Sequence, residues 1–535
     1  MDLINRAIKN KFQITTNDMI SNQTWNDFFK LCQGKKVVIA GAGAGLNYLF
    51  NCEKICSKLD IDLIIDNNKL LFGYTIEQTS WGIYSEKYND LKISGYDILN
   101  KYSDDEIVIL ITTLKDYECI IEQLNECGKH NYYVMLLMEY NLRMTGNTDN
   151  VINDKEIFDT YVQKYYDSEI NKKKILLWYG EYGGHIISIT RQLLSLRNDL
   201  DIVWVFNSYS HNVQIPDGVR ALYSNNKKNY IYELETAKMW IWAVTDIPQY
   251  IKKKNEQVYI QVKHWSSITL KKFNLEDKST CISKEIEDLV KYNGKIMDYI
   301  FTGSELDEES CRKGFSYNGP MIRIGSARSD ILFDKNIKIQ VYNKLGLKNN
   351  AHTLLYAPTF RIDNVRKNAK INYIPDLNNI LKLLEDKFDN SWNILIRLHP
   401  LLKLENCDIV LSDKIINVSD YPDGQELVAA CDMMITDYSS IMFEPAFVRK
   451  PVFLYAPDRH EFIDKERGLL IDYDTLPFPI AETNEQLAEN ILSFDKETYV
   501  KNVDLFMEKY GVHEDGHASE RAAKFISDLI DGKGI

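Results

Sequence analysis

Short runs of β-branched and other apolar residues alternate along this chain with stretches whose apolar positions recur at helical spacing. Glycine, asparagine or aspartate punctuates the junctions. The first unit opens at Lys35. Val37 to Ala40 is a strand-like run that stops at Gly41, and the apolar stretch through Leu46, Leu49 and Phe50 reads as the helix after it. Asp62 to Ile65 reads as a second strand, ending in Asp66-Asn67-Asn68. Ile107 to Thr112 is a further strand before a helix around Tyr117 to Asn125, and Tyr132 to Leu137 is another strand. Strand, glycine turn, helix is the opening of a nucleotide-binding βαβ unit, so residues 1–140 are expected to form a small Rossmann-like domain.

Residues 141–170 are polar and read as a linker plus a helix, leading into the run Lys172 to Lys174. A second α/β unit, 171–340, follows. Its strands are Lys174 to Gly180, Asp201 to Phe206, Ala237 to Val244, Gln257 to Val262, Tyr299 to Thr302 and Met321 to Gly325, with Ile186 to Leu196 as a crossover helix. A third unit, 341–535, starts at Thr353. It has strands at Ile394 to Arg397, Met433 to Thr436 and Pro451 to Leu454, separated by helices around Ile380 to Leu384 and Gln425 to Ala430. Two similar-sized α/β halves joined near residues 326–350 predict a two-lobed enzyme with a cleft between the lobes. No solenoid-type repeat and no low-complexity tract interrupts the pattern.

Composition bounds the class. The chain has 535 residues, with 64 lysines and arginines against 77 aspartates and glutamates and a formal net charge of −13. At about 150 residues per domain, that length suggests roughly three or four domains, each able to bury a core. Hydrophobic residues at 45% and charged residues at 26% are those of a globular protein and exclude wholesale disorder. No apolar run approaches the roughly 18 residues of a spanning helix. The opening MDLINRAIKNKFQ carries no apolar signal-peptide core, so a cytoplasmic protein is expected. Nine cysteines without a C-x-x-C pair fit a reducing compartment rather than a disulfide framework or a zinc site. The acidic balance points away from a dedicated nucleic-acid binder.

Three places carry candidate chemistry. Arg397-Leu398-His399-Pro400 and Asp437-Tyr438-Ser439-Ser440 each follow a predicted strand, the edge at which open parallel sheets bind ligands. Two serines at a helix start offer hydroxyls, orphan backbone N–H groups and a positive dipole end, which suits a pyrophosphate; the same pattern also serves as a plain helix cap. The second place is Tyr259 to Trp265, where His264 sits just past a strand. A histidine, with an unperturbed pKa near 6.5, suits proton abstraction from a hydroxyl nucleophile. The third is the N-terminal glycine loop. Gly41, Gly43 and Gly45 give G-x-G-x-G rather than G-x-G-x-x-G, with Asp66 about where a ribose-binding acid would stand. Two readings fit: a nucleotide cradle, and a ligand-free turn with Asp66-Asn67 as turn formers.

Taken in order, YIQVKHWSSITLKKF (259–273), FTGSELDEESCRKGFSYNGPMIRIGSARSDILF (301–333), YAPTFR (356–361), RLHP (397–400), ELVAACDMMITDYSSIMFE (426–444), DRHEFIDKERG (458–468) and HEDGHASERAAKFI (513–526) carry a resemblance. From about Ile175 to Ala522 the chain resembles the CDP-glycerol glycerophosphotransferases, the polymerases of teichoic acid and related phosphopolyol capsules. The resemblance implies a GT-B pair of Rossmann-type lobes, with the CDP donor held mainly by the C-terminal lobe. The family usually shows Gln-Thr-Trp-His-Gly-Thr before its Leu-Lys-Lys. Here Gln261-Val262-Lys263-His264-Trp265-Ser266-Ser267 keeps the histidine and lacks the glycine, which leaves the polyol open between glycerol and ribitol.

The resemblance implies His264 as base for the incoming hydroxyl and His399 as a second catalytic or phosphate-contacting residue. It places Arg397, Ser439 and Ser440 around the donor diphosphate and Asp437 at orienting or ribose contacts. Arg361 and Arg328 are further cationic candidates, and Arg467 and Gly468 border the nucleotide. The implied reaction is phosphoryl transfer with release of CMP, resting on positioning and electrostatics. No D-x-D motif or carboxylate cluster with metal spacing appears, so no cofactor and no metal are expected. The implied acceptor is a polyol-phosphate polymer or lipid-linked glycan. Peripheral contact with the inner membrane face would run through Lys172 to Lys174, Lys252 to Lys254 and Lys271-Lys272. Two other readings stay open: a GT-B glycosyltransferase with a nucleotide-sugar donor, and a non-catalytic nucleotide-binding scaffold.

Overall fold

The computed structural model describes residues 7–8, 23–79, 83, 85, 87–144, 154–180, 183–206, 215–224, 226–249, 251–273, 275, 283–361, 370–371, 373–388, 391–399, 401–402, 404–465 and 468–533. The chain divides into two compact units. The smaller comprises residues 1–176, 202–215 and 219–237; the larger comprises 177–201, 216–218 and 238–535.

In the smaller unit, β1 (Lys36–Ala40), β2 (Ile61–Ile65), β3 (Ile93–Ser94), β4 (Ile107–Ile111) and β5 (Tyr132–Val134) form a sheet in the order β3-β2-β1-β4-β5. Every neighbouring pair is parallel. That is the strand order of a doubly wound nucleotide-binding sheet. β4 is buried at every position, the mark of a central strand covered on both faces. The expected strand Tyr132 to Leu137 is corrected: β5 ends at Val134, and a helix, Met135–Met144, begins at once. An apolar run of that length does not distinguish strand from helix, and Met-Leu-Leu-Met is a good helix former.

The glycine loop after β1 is shaped by packing. Gly41 adopts a left-handed φ of 107°. A Cβ on Gly45 would lie 1.6 Å from the carbonyl oxygen of Thr112, so the helix Ala44–Asn51 sits directly on the end of β4. Asp66 accepts hydrogen bonds from the backbone N–H groups of Ala42 and Asn68, each 2.8 Å, and so ties the loop to the end of β2. Within this unit β7 (Asp201–Phe206) and β8 (Val219–Tyr223) also pair in parallel. The polar stretch before β6 (Asn171–Gly180) carries the helix Asp154–Tyr165.

The larger unit holds two parallel arrays. β12 (Met321–Arg323), β11 (Tyr299–Thr302), β10 (Val258–Gln261), β9 (Ala237–Trp242) and β6 are neighbours in that order. A six-stranded sheet follows the order β15-β14-β13-β16-β17-β18, made from β13 (His352–Tyr356), β14 (Trp392–Ile396), β15 (Ile415–Asn417), β16 (Met433–Thr436), β17 (Val452–Tyr455) and β18 (Ile480–Ala481). Its two faces build separate cores by simple alternation. Leu355, Leu395, Met434 and Leu454 face one, with Val341, Leu427 and Val503 from the covering helices. Leu354, Ile394, Ile396, Ile435 and Phe453 face the other, with Ile380, Leu384 and Leu487. The short edge strands β15 and β18 carry too few residues to show a pattern in sequence. The C-terminal helix Ala518–Ile530 returns to pack on the helix Gly184–Leu196, where Arg197 Nη1 stands 2.6 Å from Asp531. The turns after β10, β14 and β16 all leave from carboxyl ends of parallel strands.

Gly45→Ala is expected to destabilise the smaller unit by about 1–3 kcal/mol, because its methyl group forces the helix off β4. A lowered urea midpoint would show this; an unchanged midpoint would mean the helix can lift without loss.

Candidate functional site

The turn after β10 is built to expose one residue. Lys263 takes a left-handed φ of 64°, an uncommon conformation for a residue with a side chain. Its ammonium is buried against Asp307, which is itself buried. Asp307 also accepts the indole N–H of Trp265 at 3.0 Å and the backbone N–H of Gly303 at 3.0 Å. The reversal buries Lys263 and Trp265 and leaves His264 between them exposed. The His264 ring meets Trp265 edge to face, with centroids 4.9 Å apart.

Two further groups hold the same turn. The guanidinium of Arg328 donates through Nη1 to the carbonyl of His264. The Nε2–H of His185 donates to the carbonyl of Trp265 at 2.7 Å, while its Nδ1 accepts the backbone N–H of Arg328 at 3.4 Å. That pairing assigns the tautomer. Burial, followed by the charges of Arg328 and Lys263, holds the His185 pKa well below the ordinary histidine value, so the ring is neutral. Arg328 Nε also lies 3.2 Å from Glu444. Burial raises the Glu444 pKa, and Arg328 opposes that rise.

The loop then crosses to the six-stranded sheet. Leu270 N–H donates to the hydroxyl of Ser440 at 3.0 Å, and the Thr269 hydroxyl is 3.0 Å from the same oxygen. Leu470 N–H donates to Leu270 at 2.8 Å, Lys272 N–H donates to Gly468 at 2.9 Å, and Lys271 forms an antiparallel bridge with Leu469. Residues 262–272 therefore start at the end of β10, meet the turn after β16 at Thr269 and Leu270, and finish against Gly468 and Leu469. Ser439 accepts the N–H of Ile441 at 3.4 Å, so it also caps the short helical turn that Ser440 opens.

Asp437 and Arg361 meet in the floor of that turn. Arg361 Nη1 stands 2.9 Å from Asp437, and its Nε and Nη2 grip Asp458 at 2.6 and 3.0 Å. The guanidinium is stacked over Tyr373 at 3.9 Å, with Tyr438 and Phe462 beyond. Asp437 also accepts the N–H groups of Thr359 and Tyr438, at 2.9 and 2.6 Å. Both residues are buried, and their polar atoms are engaged by one another and by neighbouring loops.

Arg397 is half-buried and donates to the carbonyl of Tyr421 at 2.7 Å. His399 is exposed, its ring 4.5 Å from Phe360. Its Nδ1 accepts the N–H of Leu401 at 3.2 Å, which puts the proton of the neutral ring on Nε2. Desolvation, then the charge of Lys271, pushes its pKa below the ordinary value, so the neutral donor form dominates near pH 7.

Of the residues singled out in sequence, His264, Arg328, Ser440 and Gly468 are joined by this loop, and Asp437 with Arg361 lies under the serine turn. Arg467 lies outside the described residues. Gly41, Gly43, Gly45 and Asp66 belong to the smaller unit, where Asp66 binds the glycine loop's own backbone. Sequence reading missed His185 and Asp307. His185 opens a helix shortly after a predicted strand and Gly183-Gly184, a junction that flags it; Asp307 stands in the acidic run Asp307-Glu308-Glu309, which in sequence looks like any solvated helix face. Among the described residues no group of three or more His, Cys, Asp or Glu is placed to hold a metal ion.

A family model described as CDP-Glycerol:Poly(glycerophosphate) glycerophosphotransferase matches residues 162–528. The teichoic acid poly(glycerol phosphate) polymerase of Bacillus spizizenii is 25% identical over 399 residues, 66% of this chain and 99% of that protein. The protein of the same description from Bacillus subtilis is 27% identical over 307 residues, 56% of this chain but 40% of that longer protein. A solved structure of the wall teichoic acid polymerase TagF superposes with a TM-score of 0.62 at 24% identity, covering 74% of this chain and 97% of that one. At that identity the likeness shows the fold, the GT-B-like α/β architecture that the resemblance implied.

Arg361→Ala is expected to leave Asp437 buried without a counter-charge and to cost about 3–5 kcal/mol in urea unfolding. Arg361→Lys should restore part of this only, since a lysine has no fork to reach Asp437 and Asp458 together. A loss below about 1 kcal/mol, the worth of an exposed pair, would show that the pair does not brace the turn.

Proposed function

The chain belongs to the CDP-glycerol:poly(glycerophosphate) glycerophosphotransferase family, and on that premise we propose that it transfers glycerol phosphate from CDP-glycerol to a hydroxyl of a growing teichoic-acid-type polymer. The observation that carries the reading is the 262–272 loop, which presents His264 at one end and is hydrogen-bonded to Ser440 at the other. One continuous element thus spaces a base from the turn expected to hold the donor.

In the reaction, His264 takes the proton of the acceptor hydroxyl. The acceptor oxygen attacks the phosphorus bonded to glycerol, the bond from that phosphorus to the bridging oxygen breaks, and CMP leaves. Negative charge grows on the phosphoryl oxygens, where the Nε2–H of His399, the Arg397 guanidinium and the N–H groups of the Ser439-Ser440 turn supply donors. Asp437 and Arg361 set the floor of the turn, while Arg328 acts on the base loop through the His264 carbonyl. By the family resemblance, Arg467 and Gly468 belong to the stretch that borders the nucleotide. No step in this reading calls on a metal ion.

The acceptor polymer is carried on a lipid-linked glycan, which the protein meets as a peripheral visitor to the cytoplasmic membrane face. Lys252 to Lys254 and Lys271-Lys272 supply local positive charge for that encounter. No helix of the described residues is long and apolar enough to cross a membrane. In this reading residues 1–140 are an accessory domain of nucleotide-binding type, 171–340 the acceptor lobe and 341–535 the donor lobe.

The test is CMP release from CDP-glycerol and CDP-ribitol, with a polyol-phosphate acceptor, for the native chain and His264→Ala. Release from CDP-glycerol should fall by about 10²–10⁴-fold in the variant, the usual worth of a general base. Release from CDP-ribitol alone would change the polyol. Release untouched by the substitution would remove His264 from its role, and none from either donor would overturn the transfer reading.

A further inference from the structure

Glu514 lies far along the chain from the base loop, in the motif HEDGHASERAAKFI, to which the transfer chemistry assigns no role. Its carboxylate joins two segments that bracket His264. Oε1 accepts the hydroxyl of Ser267, three residues after His264, and Oε2 accepts the backbone N–H of Ser326 at 3.1 Å, two residues before Arg328. Both serines are buried. The fit is close on each side. A Cβ on Gly303 would stand 1.7 Å from the Ser267 hydroxyl, and one on Gly325, which has a φ of 89°, would stand 3.2 Å from Oε2. Ser267 is fixed further by its carbonyl, which accepts the Ser304 hydroxyl at 2.6 Å.

We propose that Glu514 is a positioning residue for the transfer reaction, clamping the base loop to the Arg328 segment so that the His264 ring is held where the acceptor hydroxyl arrives. The inference rests on the reading of His264 as the base. The carboxylate fixes the loop at a second point: His185 holds the carbonyl of Trp265, and Glu514 holds the side chain of Ser267.

The clamp is sensitive to protonation. Burial pushes the Glu514 pKa up to about 7, against the opposing hydrogen bonds from Ser267 and Ser326. The charged groups facing it are Lys263 of the base loop with its partner Asp307, Asp330 of the helical turn Ala327–Phe333, and Arg521 of the C-terminal helix with Asp515. When ionised, both carboxylate oxygens accept; when protonated, one becomes a donor and the Ser267 hydroxyl must turn. The clamp therefore tightens as pH rises through about 7. Stability runs the other way. The unfolded chain releases this proton near the ordinary glutamate value of about 4.3, so the folded state loses the stability of the neutral buried acid as pH rises towards 7. Glu514→Gln should gain stability over the native chain at pH 8 and none at pH 4.

The experiment measures kcat and donor KM for CMP release across pH 5.5–8.5 in the native chain, Glu514→Gln, Glu514→Ala and Ser267→Ala. Amide hydrogen exchange of the segment 263–272 is followed in the same proteins without substrate. Glu514→Ala and Ser267→Ala should each lose about 10–100-fold in kcat, the scale of a misplaced catalytic group, with donor KM little changed. The double variant should be no worse than either single one, because both remove one contact. Glu514→Gln should flatten the part of the kcat profile near pH 7, and exchange of 263–272 should quicken in Glu514→Ala. Native kcat together with native exchange in Glu514→Ala and Ser267→Ala would overturn the clamp. If Glu514→Ala does not fold, Ser267→Ala and Glu514→Gln carry the same comparison. Absence of CMP release from the native chain would overturn the transfer reading alone, since the exchange arm still decides whether Glu514 holds the loop.

Discussion

The buried pair of Lys263 and Asp307 is the constraint on which the rest of the site depends. Removing an ammonium and a carboxylate from water costs several kcal/mol per ion, and their attraction repays it only when the remaining valences are satisfied. Here they are: Asp307 collects the Trp265 indole and the Gly303 amide besides the lysine. The pair holds Lys263 in a left-handed conformation, and that conformation turns the chain so that His264 faces out between two buried neighbours. An unstrained continuation of β10 would alternate side chains across the sheet instead.

From that reversal the loop is distributed among contacts that belong to both sheets of the larger unit. Arg328 is the hub. Its backbone N–H meets His185, its guanidinium meets the His264 carbonyl, and its Nε lies beside Glu444, four residues past Ser440. A displacement of the serine turn therefore reaches His264 through Glu444 and Arg328 as well as through Leu270 and Thr269. The arrangement is one of positioning: His185, Arg328 and Glu514 act on backbone and hydroxyl groups of the loop, and Glu444 acts on Arg328. Neutral His185 contributes a hydrogen bond without adding a second positive charge next to Arg328 and Lys263.

The serine turn rests on a different device. The family resemblance marked Arg361 as a cationic candidate. In the fold its fork is closed on Asp437 and Asp458 and its faces are stacked on Tyr373, Tyr438 and Phe462. Asp437 likewise faces down into the turn. Both side chains are buried and closed on one another and on neighbouring loops, while His399, past the end of β14, is exposed. The distinction is one of direction, which residue type and spacing do not carry.

The sequence by itself determined the α/β alternation, most strand positions, the strand-end placement of His264, His399 and the serine pair, and the family. These are properties of local periodicity and of short motifs, written in consecutive residues. It also marked the N-terminal glycine loop, but not that Asp66 and Gly45 serve that loop's own packing. It left β3, β8, β15 and β18 unread, since each is short or half-exposed. It turned Tyr132 to Leu137 into one strand, where pairing with β4 ends at Val134. Only the tertiary structure decided which arginines are struts, that Asp307 is a buried counter-ion, and that His185 and Glu514 converge on the loop from positions before and long after it in the chain. Those facts depend on distances between segments remote in sequence, and on burial, which sets whether a charged group is a ligand in water or a tie inside the fold.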